Sequence, residues 1–140
     1  MIKIELARIS GNFHMEAKNE QGNAIQIDAS PEIGGTNLGM RPMQLLLSGL
    51  GSCSAIDLIN ILKKQKQPLH DIKITVTGER QQKVVPSLFI NAHIHFKLFG
   101  ALDERKVEKA VRLAVDKYCS VAKILEKTAT VSHSFEIINE

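Results

Sequence analysis

The chain has 140 residues, enough for one ordinary domain with its own hydrophobic core and short of the length that suggests two. Hydrophobic residues make up 44% and charged residues 24%, a soluble globular composition rather than a disordered or fibrous one. A net charge of +3, dispersed without any block of like charges, argues against nucleic acid and membrane surfaces as partners.

Ile2, Ile4, Leu6 and Arg8 alternate with Lys3, Glu5 and Ala7, which predicts a half-buried strand ending near Gly11 and Asn12. The same alternation breaks up any continuous apolar core of a signal peptide, and no stretch reads as long enough to span a bilayer. A cytoplasmic location is therefore expected. In that reducing compartment two cysteines are inert, metal-binding or redox-active rather than a structural staple.

Strands are predicted at Phe13 to Ala17 and Ala24 to Asp28, joined by a turn over residues 19–23. Residues 30–39 hold one proline and three glycines and read as a loop. Pro42 then suits the first position of a helix, where its missing N–H costs nothing, and that helix is predicted to run to Gln65, ahead of Pro68. Apolar residues occupy nearly its whole circumference, from Leu45 to Leu62, which predicts burial on all sides. A chain of this size has few places to hide such a helix, so a homodimer is expected.

Ile72 to Glu79 and Phe89 to Leu98 alternate cleanly and predict a hairpin with one wet face. Asp103 is the predicted N-cap of a helix over Glu104 to Lys117. The segment from Cys119 to Glu126 reads as a second short helix or a kinked continuation, and Thr130 to Ile138 as a final strand. The order β-β-β-α-β-β-α-β defines an α+β fold.

Cys53 and Cys119, 66 positions apart, are the only cysteines. On the first helix Leu46, Gly49, Cys53, Ile56, Asp57 and Asn60 share a face, and Gly49 leaves room in front of the sulfur. A mid-helix thiol has no local cation to lower its pKa, so Arg41, Arg80 and Lys123 are the candidates to supply one, with Lys123 a turn beyond Cys119. His93 and His95 lie on one strand face, but a structural zinc needs four ligands and no others are near in sequence. No cofactor and no metal is expected.

The two cysteine segments resemble those of the OsmC/Ohr family of thiol-dependent peroxidases. Cys53 follows the helix-starting Pro42 by eleven residues, and Cys119-Ser120-Val121-Ala122-Lys123-Ile124-Leu125 matches a C-x-V-x-x-x-L segment, with Lys117-Tyr118 before it and Thr130-Val131 after. The resemblance spans essentially the whole chain. It implies an intertwined dimer of antiparallel sheets around a buried cysteine-bearing helix, with Cys53 attacking a small hydroperoxide, Cys119 resolving it, and an external thiol reductant of unspecified identity. Two positions depart from the hydroperoxide reductases of the family: Met43 stands where they place a glutamate, and residues 10–15 offer no arginine. The resemblance therefore points to the OsmC-like branch, with Arg41, Met43, Gly49 and Lys123 as candidates to support substrate or thiolate. The alternative is a non-catalytic dimeric module binding a small apolar ligand near Gly49, Cys53 and Met43.

Overall fold

The computed structural model describes all residues from Met1 to Glu140. The chain divides into two compact units, Met1–Leu46 and Leu47–Glu140. In the first, β1 (Ile4–Ser10), β2 (His14–Asn19) and β3 (Ala24–Ile27) form an antiparallel sheet in sequence order. Every residue of β1 is exposed, with Ile4 at 52% and Leu6 at 55%, so the half-buried strand expected from its alternation is corrected in the single chain. Alternation makes a strand two-faced. It does not supply anything to lie on the apolar face.

The loop after β3 is built around one carboxylate. Asp28 is buried and accepts hydrogen bonds from the backbone N–H groups of Ala29, Thr36 and Leu38 and from the Thr36 hydroxyl. These donors hold its pKa down to about 2, with the Thr36 hydroxyl contributing most and burial opposing. Gly35 passes so close to the Ala29 carbonyl that no Cβ fits there. The loop then pairs Met40 with Ile27 and leads into α1 (Pro42–Lys64), where Pro42 opens the helix as expected.

The second unit holds β4 (Asp71–Arg80), β5 (Phe89–Phe99), α2 (Glu104–Leu113), α3 (Ser120–Leu125) and β6 (Thr130–Ile138). β4 and β5 pair antiparallel, and β6 lies on the other side of β5 in parallel register, from Asn91 opposite Thr130 to Phe99 opposite Ile138. The parallel pair corrects the expectation of purely antiparallel sheets. The chain between β5 and β6 carries two helices, and such a crossover returns it to the starting end of the sheet. Ala92, Ile94, Phe96 and Leu98 of β5 are fully buried beneath Leu50, Leu58 and Leu62 of α1 and Val107, Ala110 and Val111 of α2. Asp103 caps α2 by accepting from the Lys106 N–H at 3.1 Å.

α1 is buried on one face only. Leu50, Gly51, Ser54, Ala55, Leu58 and Leu62 are enclosed, whereas Leu46, Ile56 and Ile59 are exposed, which corrects the expectation of burial on all sides within one chain. The sequence reading that no stretch could span a bilayer is also corrected. α1 is long and apolar enough to do so by length and composition, with a mean hydropathy of 1.7 over its best window. Its interior glycines and serines lower that average too little to disqualify it.

Candidate functional site

Cys53 projects from the middle of α1 and is half-buried, while Cys119 is fully buried at the junction of α2 and α3. The helix predicted to continue to Lys117 instead widens into a single π-helical turn over Ala114–Tyr118, closed by the Cys119 N–H donating to the Ala114 carbonyl at 2.9 Å. Turns of this kind are frequent at functional sites. The chain leaves the turn in extended conformation at Cys119, which thereby becomes the N-cap of α3, its Sγ accepting from the Ala122 N–H at 3.3 Å. The expected choice between a short helix and a kinked continuation resolves into a π turn followed by a separate short helix.

Cys53 packs against the buried cluster that contains Cys119, and the state of one thiol acts on the other. Burial pushes the Cys119 thiol up from its ordinary value. The Ser54 hydroxyl and the Ala122 N–H oppose that shift by donating to the thiolate, and Cys53 reinforces it, since a negative sulfur there repels a second one at Cys119. Ser54 was not singled out in the sequence. Its side chain is completely buried, and its Oγ makes no hydrogen bond. The available signal was its position, because Leu50, Ser54, Leu58 and Leu62 recur at intervals of four along the buried stripe.

The remaining candidates disperse. The Lys123 side chain is exposed, and its amino group is paired with Glu126 at 3.2 Å. Arg80 donates through Nε and Nη2 to the Ser87 carbonyl. Arg41, in the first unit, is held by its own loop, Nη1 donating to the Gly39 carbonyl and Nη2 to Asn37 Oδ1, both at 2.9 Å. Met43 is half-buried in the first turn of α1.

At Gly49 a Cβ would lie 3.9 Å from Val121 of α3, an ordinary contact, so that glycine is not demanded by packing. Gly51 is the tight position, where a Cβ would meet Val76 of β4 at 2.8 Å. The imidazoles of His93 and His95 are engaged by Ser132 and Ser134 across the β5 and β6 pair. No group of three or more His, Cys, Asp or Glu side chains is arranged to hold a metal ion.

The arrangement is thus one half-buried thiol and one enclosed thiol in the same apolar cluster, with the Ala122 N–H donating to the enclosed one. A family model described as OsmC-like protein matches residues 35–134, a span that includes both cysteines. Protein YhfA of Escherichia coli K12 is 41% identical over 98 residues, covering 69% of this chain and 72% of that protein. The crystal structure of a hypothetical protein from Aquifex aeolicus VF5 superposes with a TM-score of 0.85 at 33% identity, covering 100% of this chain and 98% of the other. An organic hydroperoxide resistance protein OsmC from Legionella pneumophila superposes with a TM-score of 0.75 at 17% identity, covering 97% of this chain and 96% of its own, a likeness of fold.

Proposed function

The chain belongs to the OsmC-like protein family, and from that premise we propose that it is a thiol-dependent peroxidase that reduces organic hydroperoxides or hydrogen peroxide through Cys53 and Cys119. The observation that carries this reading is the packing of Cys53 against the buried cluster that holds Cys119 despite their distance in sequence, with the half-buried thiol on the helix and the other enclosed. Structural relatives named as hydroperoxide resistance proteins support the substrate class.

The chemistry balances with a dithiol as reductant. The Cys53 thiolate attacks the terminal peroxide oxygen, the O–O bond breaks, alcohol or water departs, and Cys53 becomes a sulfenic acid. Cys119 then displaces the sulfenic oxygen as water and forms a disulfide. An external dithiol restores both thiols and leaves as its own disulfide. Slow turnover is expected, because Met43 supplies no carboxylate and Arg41, Arg80 and Lys123 each have other partners.

Those engaged cations also favour a second reading, a non-catalytic dimeric module that holds a small apolar ligand beside Cys53. Stopped-flow oxidation separates the two. The peroxidase reading expects Cys53 to react with an organic hydroperoxide faster than free cysteine at the same pH. Cys53→Ser would then abolish peroxide consumption, and Cys119→Ser would leave one turnover that stops at the sulfenic acid. A Cys53 no more reactive than free cysteine rejects that reading in favour of the binding module.

The working form on this reading is a cytoplasmic homodimer. Support comes from the exposed apolar residues Leu46, Ile56 and Ile59 on α1 and Ile4 and Leu6 on β1, of the kind that obligate interfaces cover. Sedimentation at micromolar concentration should return twice the 15.5 kDa chain mass.

A further inference from the structure

We infer that Ser10 and His14 form a second reactive site, in the first unit, where a serine nucleophile and its imidazole base cleave small uncharged carboxylic esters with an apolar acyl group. The site is independent of the two thiols and of the peroxidase reading.

Four side chains of the first sheet form an unbroken hydrogen-bonded series. Ser10 Oγ lies 2.7 Å from His14 Nδ1, His14 Nε2 lies 2.6 Å from Gln26 Oε1, and Gln26 Nε2 donates to Glu16 Oε2 at 2.8 Å. The chemistry of its far end fixes its direction. A carboxylate only accepts, so the Gln26 amide nitrogen faces Glu16 and its carbonyl oxygen faces His14. That oxygen also only accepts, which places the proton of the neutral imidazole on Nε2 and the lone pair on Nδ1. Ser10 O–H therefore donates to His14. Lys18, paired with Glu16 at 3.3 Å, holds the carboxylate end.

A hydroxyl that donates to an imidazole whose other nitrogen is oriented by a third group is the arrangement that activates a serine. His14 is 8% exposed and Ser10 is exposed, so the base is shielded while the nucleophile is open to solvent. Ser10 ends β1 at the irregularity in its pairing with β2, and Gly11 follows with a φ of 57°, a conformation that glycine adopts readily. Bulges re-aim side chains and are over-represented next to active sites. The backbone N–H groups of Gly11 and Asn12, in the turn directly after the serine, make no hydrogen bond and are the donors nearest in sequence for a developing oxyanion. Ile9 and Phe13, both exposed, flank the serine in this hairpin and favour an apolar acyl group. Strand pairing puts His14, Glu16 and Gln26 on the face opposite Ile4 and Leu6, away from the apolar surface that a dimer would cover.

The reaction balances with water as its co-reactant. Ser10 Oγ bonds to the ester carbonyl carbon while its proton passes to His14 Nδ1. The bond from that carbon to the alcohol oxygen then breaks, and the alcohol leaves with the proton from His14. Water attacks the acyl group on Ser10 with the same base, the acid departs, and Ser10 regains its proton.

The test uses the intact chain and an alkyl fluorophosphonate, which bonds to an activated serine oxygen with loss of fluoride. Peptide mapping should place the label on Ser10, and labelling should slow about a hundredfold in His14→Gln, the lower end of what a positioned general base contributes. Ser10→Ala, a change at an exposed side chain, should remove hydrolysis of p-nitrophenyl butyrate at Ser10 and lower the total rate. His14 is buried and its substitution can disturb the sheet, so long-range proton–nitrogen NMR correlation in the parent chain reads the base without any variant. It should find the His14 proton on Nε2. A label absent from Ser10, ester hydrolysis unchanged by Ser10→Ala, or a His14 proton on Nδ1 overturns the inference.

Discussion

β1 and β5 carry the same kind of alternation and meet opposite fates. In β5, Ala92, Ile94, Phe96 and Leu98 point into a core and are fully buried, whereas the apolar Ile4 and Leu6 of β1 are more than half exposed. The difference comes from what the chain itself provides. α1 and α2 cover the apolar face of β5, and no helix of its own unit covers β1, every residue of which is exposed. A period-two pattern therefore specifies two faces, and burial is decided by partners far away in sequence or outside the chain.

The largest expected effect tests that contrast directly. Phe96→Ala should cost about 3–5 kcal/mol, a large part of a typical domain's stability, through the cavity it opens. Leu6→Ala should change the unfolding free energy of the dilute single chain by no more than about 0.5 kcal/mol, while weakening self-association if the proposed dimer forms. Chemical denaturation at two protein concentrations measures both. Equal losses at the two positions would erase the distinction between the strands.

The two glycines of α1 offer a finer version. Gly51→Ala forces a Cβ to 2.8 Å from Val76 and should destabilise by about 1–3 kcal/mol. Gly49→Ala meets only an ordinary contact and should stabilise by up to about 1 kcal/mol, the helix-propensity gain of alanine. Thermal unfolding of the two variants should move in opposite directions.

The smallest effect is one that acid removes. Asp28 is held near a pKa of about 2 in the folded chain, against 3.8 for the unperturbed group, so its contribution is fully present above about pH 4 and is lost as pH falls toward 2. Asp28→Asn should lower the melting temperature at neutral pH, and the difference from the parent should shrink across that interval. A constant difference would mean that the loop is held by something other than this carboxylate.

The parts of the fold legible in the sequence are those fixed by local chemistry. Pro42 at the start of α1, Asp103 as the cap of α2 and the bounds of β6 follow from proline geometry, side-chain capping and period-two patterning. The parallel seating of β6 and the π turn before Cys119 depend on how a crossover closes, which no short window records. The site divides in the same way. Two cysteines stand out in any sequence, and their segments carried a recognisable pattern. Ser54 did not stand out, because one buried serine in a stripe of leucines carries no pattern of its own. The placement of Lys123 was read from helical spacing alone, and the nearby Glu126 offered its amino group a surface partner instead.

The central claim is that Cys53 and Cys119 act as one redox pair. It is tested most directly by non-reducing peptide mapping after brief treatment of the intact protein with a near-stoichiometric amount of organic hydroperoxide. The account predicts a Cys53 to Cys119 cross-link within one chain, reversed by a dithiol. Two thiols that remain free, or a sulfenic acid on Cys53 that persists with Cys119 unmodified, would contradict it.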